Sequence, residues 1–331
     1  MRRQILDFGF VILDCGAPDD TWMHGLRAKP SSIQNHKSEI QNGPALMLST
    51  DTAISRLRRD LTLGSLVKAT LFVAGLAAMV LLPVYAPHVH SALALLAVGV
   101  VWLVLSYNSA KTSRISADSP ALIAAGEDDL AEKQIEEAMT TFSLFRVVKL
   151  QTLHHLALLR HAQKRFRETA ELCRAVLSHR LGTAAAPLAK PTRLLLADAM
   201  LELDDVRGAY DALSGLYGMR LNLAEVLKLL AAQLDYEARV GAWGRMTHEL
   251  MTKVQLAELM PAPAAARTQA LLALASRQAG REDFCEWLKA RAALLVDPAA
   301  LVTQRPMLAE LWPAAGTGVQ AGRPHHNSVD V

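Results

Sequence analysis

One stretch constrains this chain more than any other. Between Lys68 and Lys111 lie 42 residues, 69–110, without a single Asp, Glu, Lys or Arg. A helix at a protein surface turns a polar face to water on every turn and so carries charge. A segment with no such face needs apolar surroundings on all sides. The window holds two apolar runs, 69–85 and 92–105, separated by Ala86-Pro87-His88-Val89-His90-Ser91 with Pro83 just upstream. Proline removes a backbone donor and clashes with the preceding turn, so Pro83 and Pro87 predict the end of one helix. About 20 helical residues cross a hydrocarbon core of about 30 Å, and residues 66–85 and 91–110 each reach that length. The expectation is a transmembrane helical hairpin within residues 56–110, with Lys68 snorkelling outward and Tyr85, Trp102 and Tyr107 near the interfaces. A buried hairpin in a globular core and a re-entrant or single bent span are the alternatives.

The flanks set the expected orientation. Arg56, Arg58, Arg59 and Lys68 precede the first run, Lys111 and Arg114 follow the second, and the turn between them has no Lys or Arg. Retention of positive charge on the cytoplasmic side places both termini there, with the bilayer as one partner. Cys15, Cys173 and Cys285 are odd in number and far apart, which offers no disulfide framework and fits a reducing compartment. A formal net charge of +3 is too small to announce a nucleic-acid binder, so no nucleic acid is expected as a partner. With 51% apolar residues, the chain is not wholly disordered.

Residues 1–55 show no sustained period and read as a flexible N-terminal region. Met1-Arg2-Arg3 and the run up to Cys15 superficially resemble a signal sequence, but Asp7 and Asp14 interrupt it. Met47, just ahead of the helical pattern, is a second candidate start. Residues 111–119 read as a linker, 120–312 as an α-solenoid of about five helical pairs, and 313–331 as a disordered tail, so the fold class is all-α.

Beyond Ser119 one frame recurs: a turn residue, a small or medium apolar residue about five later, and apolar positions four and seven beyond that. Gly126, Ala131, Ile135 and Ala138 fit it, as do Lys164, Thr169, Cys173 and Val176, then Asp204, Ala209, Leu213 and Leu216. Gly241, Met246 and Leu250 follow, with Lys253 out of pattern; Gly280, Cys285 and Ala292 close the series, with Lys289 out of pattern. The markers at 131, 169, 209, 246 and 285 are 38, 40, 37 and 39 residues apart.

Over residues 118–300 this frame resembles the tetratricopeptide repeat, in which a small residue of each second helix packs on the first. Leu153, Leu156 and Ala157 match that family's first-helix core positions, as do Leu196, Ala197 and Met200. The departures are a spacing above the usual length of about 34, Leu and Ala in place of most aromatics, and two turns without glycine. The resemblance implies a groove lined by first helices that takes a partner segment. Its positions here are His154, Leu158 and His161, then Asp198 and Glu202, then Lys228, Asp235 and Arg239, then Arg267 and Arg277. The layout is also similar to two-span, repeat-bearing inner-membrane proteins linked with haem biosynthesis, although the turn here lacks any sizeable outer loop.

No catalytic constellation is recognisable, so neither an enzyme nor a cofactor is expected. His154 and His161 stand at i, i+7, whereas metal ligation on a helix wants i, i+4 with a carboxylate; solvated or groove-lining histidines are the expectation, and no metal is. His325-His326 and Gly316-x-Gly318-x-x-x-Gly322 lie in the tail. Cys173 and Cys285 fall on core positions of the frame and read as small buried hydrophobes. Residues 127–137 carry six acids against Lys133, while 160–180 carry Arg160, Lys164, Arg165, Arg167, Arg174 and Arg180 against Glu168 and Glu171. Complementary packing or a solvated face is the plain reading, and a basic strip meeting anionic headgroups or an acidic partner the sharper one. The functional expectation is a membrane-anchored adaptor or assembly factor that binds a protein partner. The alternatives are a self-assembling structural membrane protein, for which Leu294, Leu295, Val296 and Leu301 would supply a homo-oligomer face, and a regulatory subunit of a membrane enzyme.

Overall fold

The charge-free window folds as the outer parts of two helices, α1 (Thr50–Tyr85, 36 residues) and α2 (His88–Ile115, 28 residues), which pack on each other. The computed structural model describes residues 49–85, 88–179 and 186–312, and the side chains of 78, 81–85 and 88–94 fall outside the description. The expected flexible region up to residue 48, most of the proline turn and the tail 313–331 therefore lie outside the described residues. Among the described residues of the outer parts of both helices, large apolar side chains point away from the protein: Phe72 is 72% exposed, Leu103 68% and Tyr107 71%. Two helices are thus long and apolar enough to cross a membrane.

The inner ends behave differently. Ala53 and Leu57, one turn apart on α1, are fully buried in a cluster with Ile135, Leu153, Leu156 and Leu172. Ser109, near the end of α2, accepts the Leu144 backbone N–H at 2.7 Å, and Thr112 and Ser116 are buried beside it. Residues 111–119 are therefore not a free linker, which corrects the sequence reading. They comprise the last turns of α2, a short turn and the first residue of α3 (Ser119–Ala125). The polar residues suggested a linker, but small hydroxyls bond their own helix carbonyls, as Thr112 does to Asn108 at 2.9 Å, and so tolerate burial. Likewise α1 begins at Thr50, five positions inside the expected flexible region.

Every regular element among the described residues is helical. After α3 come α4 (Asp128–Thr140), α5 (Arg146–Ala162), α6 (Phe166–Ser178), α7 (Ala186–Glu202), α8 (Val206–Ser214) and α9 (Leu223–Arg239). Then follow α10 (Trp243–Thr247), α11 (Leu250–Glu258), α12 (Ala262–Gln278), α13 (Glu282–Leu295), α14 (Pro298–Gln304) and a 3-10 turn, Pro306–Glu310. Successive helices pack in pairs: α3 with α4, α5 with α6, α7 with α8, α12 with α13. The opening helices α5, α7, α9 and α12 are each 17 residues long.

The repeat frame has a backbone cause. Each opening helix ends in a left-handed residue, at Gly126 (φ 78°), Lys164 (61°), Asp204 (59°), Gly241 (67°) and Gly280 (71°). The next N–H reaches back five residues: Glu127 to Leu122, Arg165 to Arg160, Asp205 to Met200, Ala242 to Glu237 and Arg281 to Ser276, at 2.8–3.0 Å. This is the Schellman stop, which satisfies helix-end carbonyls and turns the chain back. It places the marker five residues later against the preceding helix: Ala131, Thr169, Ala209, Met246 and Cys285 are all buried.

Two out-of-pattern lysines are also explained. In the fourth pair the second helix breaks at Glu249 (φ 51°) into α10 and α11. Lys253 folds back there, donating to the Arg245 carbonyl at 2.6 Å, while Val254 takes the buried place. In the fifth pair Leu288, not Lys289, is buried.

Candidate functional site

The four 17-residue helices lie side by side, α5 touching α7, α7 touching α9 and α9 touching α12. All four end in the same left-handed turn. Three and six residues before it stand His161 and Leu158 on α5, Leu201 and Asp198 on α7, Ala238 and Asp235 on α9. Glu202 and Arg239 stand two residues before their turns, and Arg267 thirteen before Gly280.

His161 Nε2 lies 3.0 Å from Asp198 Oδ2, and Arg267 Nη2 approaches the other carboxylate oxygen at 3.9 Å. Phe166 packs edge-on against the His161 ring at 5.3 Å. Burial works against the ionised Asp198 carboxyl, but the hydrogen bond from His161 and the charges of Arg267 and Arg305 outweigh it and hold its pKa below the usual value. One turn further along α7, Glu202 joins Asp235 of α9, and both carboxylates converge on Arg305. Arg239 closes the chain, 3.6 Å from Asp235 and 2.6 Å from Asp204. Six of the expected residues, His161, Asp198, Glu202, Asp235, Arg239 and Arg267, thus form one charge network across α5, α7, α9 and α12.

The others stand apart from it. His154 is buried, with Nδ1 3.1 Å from the Thr192 hydroxyl. Burial, then the charges of His155 and Lys228, push its pKa down to about 4. Lys228 is exposed one side of this pair, and Arg277 is exposed at the end of α12, where it donates to the Glu310 carbonyl. Asp235 is fully buried, so it is reached only from within the network and not from solvent. The same holds for Arg160 in the basic strip: it is buried and pairs with Glu132 at 2.8 Å, so part of the acidic and basic runs is complementary packing.

Arg305 belongs to the network and Thr192 to the separate His154 pair, and the frame singled out neither. Arg305 lies outside the repeats, and its one signal is a lone charge between the apolar residues of α14 and Pro306. No group of His, Cys, Asp and Glu suited to a metal occurs among the described residues. Cys173 is buried in the core and its thiol is pushed up to about 12, which removes thiolate character at neutral pH.

Comparison with family models, with curated proteins and with solved structures finds no match for this chain. The functional reading rests on the geometry.

Proposed function

We propose that the chain is a membrane-anchored helical-repeat adaptor, similar in layout to tetratricopeptide proteins, that holds a protein partner at the bilayer surface. The observation that carries this reading is the division of α1 and α2. The described side chains of their outer parts are apolar and largely exposed wherever the two helices do not cover each other, and their inner ends are core elements of the helical pairs. An apolar belt of this extent is not left in water by a soluble protein. A stack of helical pairs with a mixed-charge face suits recognition of a polar or amphipathic segment. On this reading the bilayer covers residues 66–85 and 91–110, both termini are cytoplasmic, and the groove face of α5, α7, α9 and α12 meets the partner.

The test is crosslinked affinity capture of the full chain from membranes through a C-terminal tag, beside Lys228→Glu. Lys228 is exposed and structurally unencumbered, so the variant keeps its helical circular dichroism. The expected result is one enriched partner, lost in the variant; enrichment that survives in a folded variant places the partner elsewhere.

A second reading has its own observation. Phe284, Trp287, Arg291 and Leu294 form one face of α13, with Leu294 86% exposed and Arg291 stacked 5.1 Å over the Trp287 ring. Self-association through this face predicts that only self-crosslinks are recovered, and that Trp287→Glu abolishes them.

A further inference from the structure

Residues 297–312 run back over the helices they follow. Val296 is extended, Asp297 caps α14 by accepting the Ala299 N–H at 3.1 Å, and Pro306 prevents α14 from continuing. Arg305 is consequently held in an extended conformation (φ −138°) between two helical turns. Its Nε donates to Asp235 Oδ2 at 3.1 Å and its Nη1 to Glu202 Oε2 at 3.1 Å; its Nη2 reaches Glu202 Oε1 and, at 2.9 Å, Asp235 Oδ2. These partners lie 70 and 103 positions earlier in the chain.

A fully buried carboxylate, Asp235, and a half-buried one, Glu202, aimed at one point need a cation between them, and a planar fork of donors satisfies both as an ammonium does not. The side chains on the inner face of the segment are Leu301, Arg305, Leu308 and Leu311, all buried, at spacings of four, three and three. Ala299, Thr303, Pro306 and Glu310 on the other face are exposed. An arginine flanked by apolar anchors at helical spacing is how a bound segment sits in a groove. At its far end the segment is tied by exposed bonds, from Arg277 to the Glu310 carbonyl and from Gln278 to the Glu310 carboxylate at 3.0 Å.

We propose that Glu202 and Asp235 form an arginine-recognition site, that residues 297–312 occupy it as an internal strap, and that the partner segment carries the same arginine-and-leucine pattern and takes the strap's place. The proposal deepens the groove reading above and rests on it. A tethered strap competes at an effective concentration on the order of millimolar. A segment free in solution at micromolar concentration is therefore disfavoured by about a thousandfold unless it binds better or is itself confined at the membrane.

The test uses the full chain in detergent micelles and, as probe, a fluorescein-labelled peptide of residues 297–312. Leu308→Asp puts a carboxylate among the buried side chains that seat the strap and is expected to release it, with Glu202 and Asp235 themselves unchanged. This variant is expected to bind the peptide at least tenfold tighter than wild type does, and a peptide with alanine in place of its arginine is expected to lose at least tenfold. Joining Gln278→Cys to Glu310→Cys with a bismaleimide is expected to abolish binding in the otherwise wild-type chain. A folded Leu308→Asp chain that binds no peptide would overturn the proposal. Hydrogen exchange on the wild type covers the case in which Leu308→Asp fails to fold. Strap amides exchanging at least tenfold faster than those of α12 support a separable strap, and strap amides opening only with α12 overturn it. Membrane capture is read independently, so failure here leaves the adaptor reading intact.

Discussion

Lys149→Met is the sharpest test of how α1 is held. The Lys149 ammonium is buried and lies 2.9 Å from Asp60 Oδ2 on α1. It also donates to the last carbonyls of α4, Ala138 at 3.2 Å and Met139 at 2.8 Å, and to Thr141 at 2.6 Å. Burial holds its pKa below the usual value, with the Asp60 hydrogen bond working the other way. Methionine keeps the stem's volume and removes every one of these bonds, leaving a nearly buried carboxylate and three carbonyls without a donor. Breaking a buried pair from one side costs about 3–5 kcal/mol. For a domain of 150–250 residues that is a fall in Tm of roughly 6–20 °C. The assay is thermal unfolding by circular dichroism in lipid nanodiscs, with hydrogen exchange to locate the loss. Amides of residues 50–64 are expected to lose protection before those of α12. The double variant Lys149→Met/Asp60→Leu removes the orphaned charge and is expected to recover about 2 kcal/mol. A single variant within about 1 kcal/mol of wild type, or a double no more stable than the single, refutes the account.

His154, with a pKa near 4 when folded and the ordinary value when unfolded, binds its proton first in the unfolded chain. Stability is therefore expected to fall by about 3 kcal/mol as pH drops from 7 to 4 and to level off below that; urea titrations across pH check this, and His154→Gln is expected to flatten the slope. Lys164 adopts φ 61° without glycine's freedom, so Lys164→Gly is expected to stabilise by about 1 kcal/mol. Asp204→Gly gains the same relief but loses the 2.6 Å pair with Arg239, so paired melting curves are expected to show a smaller benefit there. Arginine at Val100, midway along α2, is expected to cost about 2.5–3.5 kcal/mol of membrane insertion, read by carbonate extraction. The same change at exposed Tyr210 stays within about 0.5 kcal/mol by melting.

The sequence made the helical pairs legible because the left-handed stop recurs at a fixed distance from a small buried residue. Gly126, Gly241 and Gly280 announce that stop, whereas Lys164 and Asp204 adopt the same backbone and could be placed only by spacing. The charge-free window was equally legible, since absence of charge is a property of sequence alone. The fusion of α1 to the stack was not. Asp60 and Lys149 read as ordinary surface charges, and their burial depends on two elements about ninety positions apart meeting. The network was half legible for the same reason. Asp198 with Glu202 and Asp235 with Arg239 are i, i+4 pairs on their own helices, but the cation that joins the two helices comes from Arg305, outside the period that defines the frame. A repeat pattern identifies positions that recur and is blind to a residue that occurs once.

On the proposed reading α1 is an anchor as well as a core element, and that changes what an anchor of this kind does. At 1.5 Å per residue its 36 residues extend about 54 Å, and on the proposed reading a hydrocarbon core takes about 30 Å of that. The remaining turns are gripped by Leu57, by the Asp60–Lys149 pair and, through α2, by the Ser109–Leu144 bond. A flexible tether lets a groove search a volume and raises the effective concentration of every partner within reach. A stiff connection raises it only for a partner whose segment emerges at matching height and angle, and lowers it toward zero for the rest. On the proposed reading, the discrimination that a groove of modest chemical distinctiveness would lack is supplied by geometry. On that reading the buried lysine beneath the apolar helices belongs to the proposed recognition device as much as the carboxylates that receive Arg305.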